Sequence, residues 1–96
     1  LIRFSKFVRE TEPGTYDFGY FISPDGKRVN LVEKYHTSSD FVHHLNNFEK
    51  SDYSKEFMTL FTLDKVIIAG DASDELKDKA KAYGAELRPQ IGGWIN

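Results

Sequence analysis

The chain has 96 residues, with 13 Lys and Arg against 15 Asp and Glu and a formal net charge of −2. A length of this order fits one domain, expected to span residues 1–96. The two signs of charge are interspersed and leave no basic stripe for a phosphate backbone, so no nucleic-acid partner is expected. Cysteine is absent, which excludes disulfides, a thiolate nucleophile and cysteine metal sites.

Apolar runs such as residues 66–69 are far too short to cross a bilayer, so no membrane partner is expected; a cytoplasmic location is a separate expectation. Aromatic content is 15%, with eight Phe and five Tyr, which favours a bulky core or a pocket for a flat ligand. In a chain this short the stability margin is thin, and pairing with a second copy would relieve it.

Residues 1–12 predict a helix, with Phe4, Phe7, Val8 and Thr11 on one stripe. No capping residue precedes it, so its start, with an N-terminal piece of the chain, is expected upstream of Leu1. Glu12-Pro13-Gly14 ends it, because proline disfavours helical conformation in the residue before it. Residues 15–23 predict a strand in which Tyr16, Phe18, Tyr20 and Ile22 form an aromatic face. Pro24-Asp25-Gly26 is a turn signal. Residues 28–35 return with Val29, Leu31, Glu33 and Tyr35 on one face, so a carboxylate stands in an otherwise apolar row.

Thr37-Ser38-Ser39-Asp40 supplies cap candidates for a helix whose stripe is Phe41, His44, Leu45 and Phe48. Adjacent residues sit about a hundred degrees apart on a helix, so His44 points inward and His43 sideways. A second helix carries Tyr53, Phe57, Leu60 and Phe61. Residues 65–70 predict a strand buried on both faces, and a helix follows to Tyr83 with Gly84 as its stop. Residues 85–88 predict a last strand, an edge because of Pro89, running on through Ile91, the Gly92-Gly93-Trp94 triplet and Ile95.

Glu33 and His44 are expected in one layer. A carboxylate that orients an imidazole suits a general base or a ligand hydrogen bond; the same pair can equally be a structural lock between helix and sheet. His36, His43 and His44 lack metal-ligand spacing, so no metal is expected. Tyr16, Tyr20, Tyr35 and Trp94 are amphipathic rings that either clasp a planar ligand or pack a sheet face.

The segments Leu31-Val32-Glu33-Lys34-Tyr35 and Ser39-Asp40-Phe41-Val42-His43-His44-Leu45 resemble the antibiotic biosynthesis monooxygenase family of the dimeric α/β-barrel superfamily. Glu12-Pro13-Gly14-Thr15-Tyr16, Ala69-Gly70-Asp71-Ala72-Ser73 and the C-terminal Gly-Gly-aromatic extend the likeness over most of the chain, through short motifs. The resemblance implies an α+β, ferredoxin-like protomer with an antiparallel sheet, helices on one face and a homodimeric barrel. It implies oxidation of a phenolic, quinol or polycyclic aromatic molecule by dioxygen, with no cofactor. His44, Glu33 and Tyr35 would be catalytic, and Tyr16, Phe41 and Trp94 would line the substrate. The family's first strand has no counterpart before the first helix here, so an unpaired sheet edge is expected. The strand Asn and mid-chain Trp of haem-degrading relatives are lacking too, which points away from haem. The alternative is a non-catalytic dimeric binding or sensing module of the same fold.

Overall fold

A computed structural model describes residues 2–94. Leu1, at the head of the first predicted helix, and Ile95, at the end of the predicted C-terminal stretch, lie outside them, as does the strand expected before Leu1.

Helix α1 (Ile2–Thr11) buries Phe4 and Val8, one turn apart. The same i+4 step continues to Glu12, just past the helix end and only 2% exposed. The buried stripe thus runs through Glu12, whereas Thr11 is exposed. Gly14 then lets the chain pass the start of the central helix, because a β-carbon there would collide with the Asp40 carboxylate.

Strands β1 (Thr15–Ile22) and β2 (Val29–Tyr35) form an antiparallel hairpin that pairs Phe18 with Glu33 and Tyr20 with Leu31. Its turn is closed by the Gly26 N–H donating to the Ser23 carbonyl at 2.9 Å, with Gly26 at φ 74°. The aromatic face expected of β1 is shorter than the alternation predicts. A bulge between Thr15 and Asp17 re-aims the chain there, so Tyr16 becomes exposed, and Ile22 is exposed near the turn. Phe18 and Tyr20 remain on the covered side.

Helix α2 (Ser38–Lys50) begins at Thr37, whose hydroxyl accepts from the Asp40 N–H. Helix α3 (Tyr53–Leu60) buries no residue. Strand β3 (Ile67–Ala69) leads to helix α4 (Asp74–Ala80), capped by Ser73 and prolonged by a 3-10 turn to Tyr83; Gly84, at φ 66°, ends it. Strand β4 (Glu86–Arg88) pairs in parallel with β3.

The class is α+β. Among the described residues the strands make two two-stranded sheets, and only the hairpin is antiparallel. The second pair is parallel because α4 is a crossover that carries the chain back to the end of the sheet from which β3 started. Of β3 only Ile68 is buried, and Ile67 is half exposed, so the strand is covered on one face rather than two.

Helix α2 lies in the middle. Its N-terminus meets that of α4, where Ser38 Oγ accepts from the Ser73 N–H at 3.0 Å. Its C-terminus meets the end of α4, where Glu49 accepts from Lys79 at 3.0 Å and Tyr83 at 2.7 Å. The two helices are therefore parallel neighbours. One side of α2 presents Val42 and Leu45 to Ile68, Leu76 and Ala80. The other presents His44 to α1 and the hairpin.

Candidate functional site

Three elements converge on the His44 ring. From the end of α1, Glu12 Oε1 lies 2.7 Å from Nδ1; from β2, Glu33 Oε1 lies 2.8 Å from Nε2. Ionised carboxylates only accept, so an imidazolium donating from both nitrogens satisfies this geometry. Tyr35 donates its hydroxyl to Glu33 Oε1 at 2.8 Å. Thr15 Oγ1 donates to Glu12 Oε1 at 3.2 Å, and Asn47 Nδ2 to Glu12 Oε2 at 3.3 Å.

The network is dry at its centre. His44 is 5% exposed and Glu12 2%, while the Glu33 side chain is 19% exposed. The rings of Tyr35, Phe18 and Phe4 surround the imidazole at tilted angles, with centroids at 5.6, 5.8 and 6.0 Å. Burial by itself disfavours the charged imidazole. The hydrogen bond and charge of Glu33, followed by those of Glu12, outweigh it, so the pKa of His44 is raised above its usual value. The Tyr35 hydroxyl is pushed upward by burial and by Glu33, and stays protonated.

The carboxylates approach opposite sides of the ring and share no common point with it. Among the described residues no group of His, Asp and Glu is arranged to hold a metal ion.

Of the residues singled out in the sequence, the fold brings Glu33, Tyr35 and His44 together, with Phe41 stacked on Tyr35 at 4.4 Å and 18°. It does not bring Tyr16 there: the bulge turns its ring onto His36, 4.6 Å away. Trp94 is 84% exposed. His36 and His43 are both at the surface.

Glu12 is the member the sequence reading passed over as a helix stop. Its signal was its place one turn after Val8 on the buried stripe. Asn47 was one turn from His44, and its role depends on Glu12.

Comparison with family models, curated proteins and solved structures gives no match for this chain.

Proposed function

We propose that the chain is the protomer of a ferredoxin-like, homodimeric domain that oxidises a phenolic, quinol or polycyclic aromatic molecule with dioxygen, without a cofactor. The observation that supports this most is Glu33, the one member of the charged network that is partly open to its surroundings. Its Oε1 is held by Tyr35 and His44, and in this reading Oε2 takes the proton of an acidic C–H or O–H. The resulting electron-rich anion meets dioxygen. For an anthrone-type substrate the CH₂ becomes C=O, and the second oxygen atom leaves as water.

His44 is then a positioning residue rather than a base, since both its nitrogens already lie against carboxylate oxygens. Its charge holds Glu33 in place and balances Glu12. The uncovered outer side of the hairpin, with Phe21 and Val32 exposed, suits the homodimer that the resemblance implies; light scattering at micromolar concentration should give twice the protomer mass.

One observation favours a second reading. His44 is sealed from solvent, as it would be in a binding or sensing module whose network is only a lock. Oxygen uptake with anthrones and hydroquinones, in the presence of a chelator, separates the two. Oxidation is expected, and Glu33→Gln should slow it about 10²-fold or more. No uptake with any member of the panel leaves the binding module standing.

A further inference from the structure

Glu12 is a carboxylate sealed in the interior, only 2% exposed, with both of its oxygens engaged. Oε1 accepts from the Thr15 hydroxyl at 3.2 Å and faces His44 Nδ1 at 2.7 Å; Oε2 accepts from Asn47 Nδ2 at 3.3 Å. The Asn47 nitrogen carries two hydrogens and lies 3.3 Å from Nε2 of the exposed His43 as well. Glu12 therefore has no oxygen left over for a substrate. Whatever it does for the site, it does through His44.

Glu33 is different. Its side chain is 19% exposed, and Tyr35 and His44 both meet a single oxygen, Oε1, at 2.8 Å. The contact between Glu33 Oε1 and His44 Nε2 has one proton to place. On nitrogen, the proton makes an imidazolium beside an ionised carboxylate. On oxygen, it makes a neutral ring beside a carboxylic acid that can take up nothing more. The two arrangements hold the same number of protons and differ in where a positive charge sits.

Burial favours the neutral arrangement. The Glu12 charge opposes it, because Glu12 touches the ring itself and draws the proton towards the nitrogen. Among the described residues no Lys or Arg forms an ion pair with Glu12 or Glu33. The other titratable groups nearby do not compete. Tyr35 keeps its proton, and so does Tyr20, whose hydroxyl burial and then the Glu33 charge push up to about 12. His43 reaches Glu12 only through Asn47.

We propose that Glu12 is a positioning residue that keeps the shared proton on His44, and so keeps Glu33 ionised and able to act as the base. The arrangement follows the logic of a catalytic triad, in which a buried carboxylate stabilises an imidazolium without touching the substrate. Here a second carboxylate, rather than a hydroxyl, stands on the far side of the ring. The use of Glu33 as a base rests on the proposed oxidation, whereas the place of the proton rests on the geometry of the cluster.

The test is Glu12→Gln, which keeps the size of the side chain and an oxygen for Nδ1 while removing the charge. In the wild type at pH 7, ¹⁵N NMR should find protons on both His44 nitrogens, and ¹³C NMR should find the Glu33 carboxyl ionised. In Glu12→Gln at the same pH, Nε2 should have lost its proton and the Glu33 carboxyl should have gained it. The ionised form of Glu33 should then return only at higher pH, so the acid limb of kcat/KM for oxygen uptake should move up by at least about one unit. A damaged fold lowers activity at every pH and does not move that limb. A wild type with neutral His44 and protonated Glu33 overturns the proposal, whether or not Glu12→Gln folds. So does a Glu12→Gln variant in which His44 keeps both protons and Glu33 stays ionised. Oxidation whose acid limb Glu12→Gln leaves in place contradicts the proposal alone. No oxidation of any panel member contradicts the enzymatic reading, and the NMR result still decides where the proton lies.

Discussion

Helix α2 separates two interiors built on opposite principles. Towards α4 and β3 the packing is aliphatic and small, with Val42, Ile68, Leu76 and Ala80. Towards α1 and the hairpin it is aromatic and charged, with an imidazole held between two carboxylates. The first interior is stabilised by apolar area removed from water, which is indifferent to pH. The second depends on a proton. A buried ion cluster contributes little net stability compared with apolar packing of the same shape, yet breaking it is expensive. That imbalance suits a site better than a core.

The largest effect should come from breaking the charged side. His44→Ala leaves Glu12 buried and uncompensated and should cost about 3–5 kcal/mol in denaturant unfolding at pH 7. A loss below about 1 kcal/mol would remove the distinction between the two interiors. Leu76→Ala, at a position only 2% exposed, should cost about 2–4 kcal/mol through lost transfer energy and a cavity. That loss should be the same at mildly acid and mildly alkaline pH; a pH-dependent loss would mean that the aliphatic side is coupled to the network.

The wild type supplies a sharper contrast. The folded-state pKa of His44 is raised, so the stability His44 contributes is fully present below its unfolded value of about 6.5. It is lost as pH rises through the higher folded value, with a slope of at most about 1.4 kcal/mol per pH unit. Wild type and Leu76→Ala should share that decline, and His44→Ala should not. The smallest effect belongs to Tyr16→Ala, which removes a surface ring stacked on His36. It should shift stability by less than about 0.5 kcal/mol and leave oxygen uptake unchanged.

Much of this contrast can be read in the sequence. The odd carboxylate in the apolar row of β2 marks Glu33, and the helical stripe marks His44, because both depend on local periodicity. Glu12 is harder to see: a residue before Pro-Gly reads as a helix end, and only the i+4 step from Val8 hints that it is buried. Tyr16 misleads because a bulge between Thr15 and Asp17 overrides the period-two alternation. Val42 escapes a one-sided stripe because α2 is covered on two sides, which only the placement of α4 reveals. The parallel pairing of β3 with β4 follows from the crossover, and three-residue strands carry too little pattern to announce it.

The account stands on His44 being an imidazolium between Glu12 and Glu33. The most direct measurement is a pH titration of the His44 ring nitrogens by ¹⁵N NMR. Both nitrogens should carry protons at pH 7, with the midpoint above the usual histidine value. A His44 that is neutral at pH 7, with one nitrogen unprotonated, would contradict it.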